Sequence, residues 1–181
     1  MNWDSFFLNI AIAVSKKSNC FSVQYGAVIV KDKTIIATGY NGPPRGVPHC
    51  EERLSDWLQD GTVNQERAKN NLSIIQTKEK ITLLNCPRRI MGYESGKGLE
   101  WCAAAHAEIN AIANASRLGI ELKDSVMYCN FGIPCRECAK SIINAGISEV
   151  IVTKLKEYHD EGIKSLDLLS QGNVFVRLYE N

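Results

Sequence analysis

The chain reads as an α/β protein with a mixed sheet of five strands and helices on both faces. Two observations predict this. Near the N-terminus, two β-rich runs, residues 23–30 and Thr34–Tyr40, are joined by Lys31-Asp32-Lys33, a hairpin pattern. Beyond residue 124, strand-like and helix-like runs alternate as β-α-β-α-β, which implies a sheet that is largely parallel in its second half. A length of 181 residues suits one domain with a full core.

Taken in order, Trp3, Phe6, Ile10 and Val14 recur at helical spacing, with Asp4 or Ser5 as the cap. The hairpin strands follow, and Asn41-Gly42-Pro43-Pro44-Arg45-Gly46 breaks the second of them. Residues from about 50 to 102 differ in character: they are charged, poor in strand pattern and end in the glycine-bearing stretch 92–98. They read as an excursion inserted into a single domain spanning 1–181, with one or two helices, the best at 64–80. Regular alternation then resumes. An alanine-rich helix at 105–118 has side chains small enough for close packing. After it come a strand at 125–130, a helix at 135–145, a strand at 149–153, a helix at 162–169 and a final strand at 173–178.

A hydrophobic content of 45% and a net charge of +1 describe an ordinary soluble protein. The absence of a basic excess argues for a small substrate and against nucleic acid as the partner. Phe6-Phe7-Leu8-Asn9-Ile10 is too short and interrupted for a membrane span or signal sequence, so no membrane partner is expected. Seven cysteines without a secretion signal point to reduced thiols and metal binding in the cytoplasm.

The chemistry lies in His106-Ala107-Glu108 and Pro134-Cys135-Arg136-Glu137-Cys138, which together read H-x-E…P-C-x-x-C. Cys135 and Cys138 are three apart, so at a helix start both sulfurs share one face, and Pro134 suits that start. The helix dipole and a zinc ion both favour thiolates. His106 and Glu108, two apart, would diverge in mid-helix and converge only in a first turn. The site is therefore expected where two helix N-termini meet. His106, Cys135 and Cys138 are the expected zinc ligands; three ligands leave a fourth position for water, and Glu108 is the proton carrier. A lone C-x-x-C also fits half a structural zinc knuckle or a redox pair; the H-x-E half distinguishes it.

Gly39-Tyr40-Asn41-Gly42, His106-Ala107-Glu108-Ile109-Asn110-Ala111-Ile112, the P-C-x-x-C segment and Ile143-Asn144-Ala145-Gly146-Ile147 together resemble the deoxycytidylate (dCMP) deaminases of the cytidine deaminase superfamily. The resemblance covers the chain from first helix to last strand. It implies a three-layer α/β/α sandwich and a zinc-dependent hydrolase that converts dCMP to dUMP and ammonia, feeding thymidylate synthesis. Glu108 would take a proton from a zinc-acidified water, deliver it to ring N3 and then protonate the departing amine. Asn41 would bond the sugar 3′-hydroxyl, or else support its loop as an Asx turn. Gly39 and Gly42 would allow the backbone close to the substrate. The resemblance also implies a homo-oligomer, often a hexamer, with dCTP and dTTP as effectors; Arg117 falls where relatives place interface residues, or is a helix-end cation.

The chain departs from this pattern in two places. The segment before Gly26 lines the phosphate pocket in relatives, yet here Phe21-Ser22-Val23-Gln24 has no cation, leaving Ser22 and Gln24 as hydrogen-bond donors, with Arg45 nearby in sequence. The stretch from Tyr128 to Pro134 is one residue longer than in many relatives, and Phe131 either stacks on the pyrimidine or belongs to the core.

Of the other cysteines, Cys129 sits in a strand pattern and is expected to be buried. Cys20, Cys50, Cys86 and Cys102 are expected to hold a second, structural zinc, as in several microbial and phage relatives, with His49 as an alternative ligand. Two other functions compete with dCMP deamination. One is a related deaminase acting on another cytosine or adenine substrate, with tRNA disfavoured by the near-zero charge. The other is a non-catalytic zinc-binding module, against which Glu108 argues.

Overall fold

The computed structural model describes residues 2–75, 86–94, 96–155 and 163–180. These divide into two compact units: residues 1–18, 24–41 and 105–181 form the first, residues 19–23 and 42–104 the second.

The first unit opens with α1 (Trp3–Ser15), capped by Asn2, whose side chain accepts from the Ser5 amide at 2.7 Å. The cap therefore lies before Asp4 and Ser5, which occupy the first turn. β1 (Gly26–Lys31) and β2 (Thr34–Tyr40) pair antiparallel through a two-residue turn in which Asp32 and Lys33 both have positive φ, the arrangement that matches strand twist. β1 begins at Gly26 and not at residue 23, because the Tyr25 amide is taken by the Asn41 side chain.

In this unit α5 (Ala107–Arg117), β3 (Val126–Cys129), α6 (Arg136–Asn144), β4 (Glu149–Val152), α7 (Ser165–Gln171) and β5 (Phe175–Leu178) follow. The strands stand in the order β2-β1-β3-β4-β5. β1 pairs antiparallel with β3, and the β3–β4 and β4–β5 pairs are parallel. The alternation expected of strands divides the core into two layers. Ala27, Ile29, Met127, Cys129, Val150 and Val152 pack with residues of α5, α6 and α7. Val28, Val30, Tyr128 and Ile151 pack with Phe7, Leu8 and Ala11 of α1. Helices thus cover both faces of one mixed sheet, and the fold is a three-layer α/β/α sandwich.

Two glycines set how closely those layers approach. A Cβ on Gly26 would lie 2.2 Å from the Ala11 carbonyl oxygen, and one on Gly39 would lie 2.3 Å from both Ala107 O and Ala111 N. No side chain fits at such distances, so α1 rests on β1 and α5 on β2, backbone against backbone. Helix packing by itself requires glycine at Gly39.

The second unit holds α2 (Cys50–Gln59), α3 (Thr62–Lys69), α4 (Pro87–Ile90) and a 3-10 turn at Leu99–Trp101. Its core is small: Leu54, Val63 and Met91, flanked by Trp57, Leu58, Ile75, Ile90, Tyr93 and Trp101. Glu66 is buried but bonded by Lys69 and by the Tyr93 hydroxyl. Asn64 exchanges two hydrogen bonds with the Ile75 backbone. The expected helix at 64–80 starts earlier and ends at Lys69, where Asn70 caps it and Asn71 turns left-handed; residues 76–80 lie outside the described residues. No described helix is long and apolar enough to cross a membrane.

Candidate active site

His106 is the N-cap of α5 and Cys135 the N-cap of α6, so two helix N-termini converge within the first unit. α6 starts at Arg136, which leaves Pro134 one residue ahead of the cap and not inside the first turn. Cys135 and Cys138 are thus N-cap and third helical residue, and their sulfurs lie 3.5 Å apart. His106 Nδ1 is 3.3 Å from Cys135 Sγ and 3.4 Å from Cys138 Sγ. Tetrahedral zinc with Zn–S of about 2.3 Å and Zn–N of about 2.0 Å needs edges of roughly 3.5–3.8 Å. The triangle is slightly tighter than that, and the residues fit the ion. Among the described residues, only these three bring three ligand atoms within 4.8 Å of one another.

The electrostatics agree with the geometry. The hydrogen bond shared with Cys138 and then that with His106 draw the Cys135 thiol down to about 4, while the same shared bond pushes Cys138 up. Two thiols sharing one proton lose the first readily and resist losing the second; a divalent cation removes that resistance. His106 is raised, chiefly by its bond to Cys135.

Glu108, the second residue of α5, is 1% exposed, and its Oε1 has no hydrogen-bond partner. Burial raises its carboxyl to about 7. An unpaired buried oxygen is costly, on the order of 1–3 kcal/mol, which marks this atom as one kept for a ligand.

Asn41 is 6% exposed. Its Oδ1 accepts from the Tyr25 amide at 2.7 Å, its own amide donates to Tyr25 O at 3.1 Å, and its carbonyl accepts from the Ser18 hydroxyl at 2.6 Å. The side-chain oxygen therefore holds the entrance to β1. Gln24 is exposed and donates to Ser18 O at 2.8 Å. Ser22 is exposed and Gly42 buried, both in the second unit. Phe131 is 3% exposed and stacks on Tyr25 with ring centroids 4.2 Å apart, so it belongs to the core. Cys129 is fully buried.

Cys20, Cys50, Cys86 and Cys102 all fall in the second unit. Cys50 opens α2, Cys86 caps α4 and Cys102 ends the 3-10 turn. The Cys50 thiol is pushed up to about 11 by burial and then by Cys86, Cys102 and Cys20, which places those three in the surroundings of Cys50. They are not gathered as tightly as the His106 trio. His49 Nδ1, next in sequence to Cys50, is buried without a partner.

Two residues went unread in the sequence. Asn110 and Asn114 donate to the Tyr40 and Thr38 carbonyls of β2, each at 2.8 Å. Two asparagines four apart beside an alanine stripe were the available signal.

Residues 1–154 match the family described as the cytidine and deoxycytidylate deaminase zinc-binding region. The chain belongs to this family. It is 33% identical over 165 residues to the deoxycytidylate deaminase of Enterobacteria phage T4, covering 87% of this chain and 81% of that one. It is 32% identical over 150 residues to the deoxycytidylate deaminase of Schizosaccharomyces pombe, covering 83% of this chain but only 36% of that protein's length. The crystal structure of the dCMP deaminase of cyanophage S-TIM5 in complex with dCMP and dUMP shares the fold, with a TM-score of 0.62 at 22% identity, over 97% of this chain and 95% of that one.

Proposed function

We propose that this chain is a hydrolase that deaminates dCMP to dUMP and ammonia. The observation that carries this reading is Glu108: a buried carboxylate with an unpartnered oxygen, two residues from a ligand of a three-donor metal triangle. A structural site needs no such group. His106, Cys135 and Cys138 would hold a zinc ion, which would supply Lewis-acid chemistry that lowers the pKa of water toward neutrality. Glu108 would accept a proton from the attacking water and pass it to N3, making C4 electrophilic so that the water oxygen bonds to C4. The second proton moves through Glu108 to the 4-amino group, the C4–N bond breaks and ammonia leaves. One water is consumed, and the carboxylate ends as it began.

The choice of dCMP over other cytosine substrates is supported by the named relatives, which bear that activity in phages and yeast. Asn41 is the sugar-binding residue in this reading, with Gly42 beside it and Ser22 and Gln24 as phosphate donors. Residues 1–181 act as one deaminase domain with the second unit as its excursion, supported by a family match that runs through both units.

A second zinc on Cys20, Cys50, Cys86 and Cys102 is supported by the influence of the other three thiols on Cys50, and His49 as an alternative ligand by its unpartnered Nδ1. All seven cysteines are free thiols, which supports a reducing, cytoplasmic setting. A hexameric assembly with dCTP and dTTP as effectors rests on the family resemblance.

The test is a substrate panel. Purified zinc-loaded protein is mixed with dCMP, dCTP, CMP, deoxycytidine and adenosine while the absorbance of each base is followed. Turnover fastest on dCMP is expected. Preference for another member moves the chain to a sister activity, and no turnover on any member leaves a zinc-binding module.

A further inference from the structure

Resting on that reading, we infer that Asn110 is a positioning residue that ties the helix carrying the proton carrier to the peptide at the substrate loop. α5 meets β2 through Ala107 and Ala111 against Gly39, with backbone atoms nearly in contact. A face of alanines over a glycine presents no knob and no hole, so packing alone resists sliding and rotation of the helix poorly. The amides of Asn110 and Asn114 supply what packing lacks, donating to Tyr40 O and Thr38 O.

The spacing explains why two asparagines suffice. Four residues of helix advance about 6.0 Å, and two residues of strand advance about 6.8 Å. Side chains at i and i+4 of a helix therefore meet carbonyls at j and j+2 of a strand lying alongside. A one-residue shift in either element would break both bonds together. The pair also occupies carbonyls of β2, an edge strand of the sheet.

The two bonds differ in what they reach. Thr38 lies within the strand, whereas the Tyr40 carbonyl belongs to the peptide that leads into Asn41. That peptide is held on both sides: its carbonyl by Asn110, and its N–H by Tyr25 O. Asn110 also stands only two residues after Glu108, on the same first turns of α5. One side chain thus fixes the distance between the group that moves the proton and the residue that holds the sugar.

The test compares N110D with N114D in the full-length, zinc-loaded protein. Each change keeps the side-chain shape and turns the donor toward the carbonyl into a repelling acceptor. Turnover of dCMP is measured over a full concentration range, with zinc content and Tm measured on the same samples. For N110D, we expect kcat/KM to fall roughly ten- to a hundredfold, as misplacement by a fraction of an ångström can cause, with KM rising as well as kcat falling. N114D should lower Tm by a similar amount yet change kcat/KM by less than about threefold. A merely structural role lowers only the active fraction, so KM per folded molecule stays put. As a readout that needs no turnover, dCMP affinity is measured calorimetrically for E108Q/N110D against E108Q; weaker binding in the double variant is expected. Should N110D not fold, N110A takes its place in both arms.

An active wild type whose two variants fall together, with KM unmoved, overturns the positioning role and leaves the deaminase reading intact. A wild type inactive on every deaminase substrate removes that reading, and this role with it.

Discussion

The two units of this molecule each carry soft metal donors, but in different arrangements. In the first, Cys135 and Cys138 are placed by one helix start, so the only long-range demand is that the α6 start meet His106 at the start of α5. That meeting is enforced by a core in which Ala107 and Ala139 are both fully buried. In the second, four cysteines come from four separate segments, three of them at the ends of short elements, in a unit whose core among the described residues is Leu54, Val63 and Met91. Bringing four segments together carries loop-closure entropy that so small a core offsets poorly. The first site is preorganised by the fold; the proposed second site would depend on its ion for order. The Glu108 carboxylate, buried two residues from His106, equips the first set for proton transfer.

The sharpest break comes from Glu108→Gln. Gln keeps the shape but carries no proton, so turnover should drop on the order of 10²–10⁴-fold while metal content and Tm stay near wild type. Near-normal rates with intact zinc would erase the chemical distinction between the two sets.

Cys86→Ser tests the other side. Metal analysis of unchelated protein should return two zinc ions per chain, falling toward one in this variant, with faster proteolysis between about residues 50 and 102. An ion that closes a site from distant segments contributes its binding energy to folding, so its loss should loosen that region. Cys129→Ser should leave the count alone, because that thiol is buried in the sheet core. A single zinc in the wild type would mean that the second set is only a cluster of thiols.

Asn41→Ala probes the border of the first site. Loss of dCMP affinity of roughly 1–3 kcal/mol is expected from an unsatisfied sugar hydroxyl. Because Asn41 Oδ1 also holds the Tyr25 amide, Tm should fall too. A fall in Tm with unchanged affinity would assign the residue to loop support alone.

The smallest effect should come from Asp4→Asn, which tests order without metal. Arg177 is bonded to Asp4 at 2.7 Å and to Glu149 at 2.9 Å, and the Tyr128 hydroxyl donates to Asp4 at 2.9 Å. Arg177 first among these holds the Asp4 carboxyl below its ordinary value. A carboxyl lowered in the folded state stabilises above the unfolded value and loses that contribution as pH falls through the folded one. D4N should therefore be less stable by up to about 1 kcal/mol near neutral pH, and the gap in Tm should close under acid. A gap that persists unchanged at low pH would assign the effect to packing.

Much of this was legible in the chain itself. The His106/Glu108 and Cys135/Cys138 spacings determine donor identity and the two-helix-start geometry, because both are set within one helical turn. In the first unit the order of strands and helices follows from local periodicity for the same reason, and the boundaries moved by only a few residues. The tertiary structure decided matters that depend on which distant segment arrives beside a residue. Gly39 proved to be an α5 contact, Phe131 a stacking partner of Tyr25, and Asn41 a clamp on β1, none of which sequence spacing encodes. The excursion was least legible. Its helices are short and charged, and its small core joins residues far apart in sequence, where the chain carries no period to read.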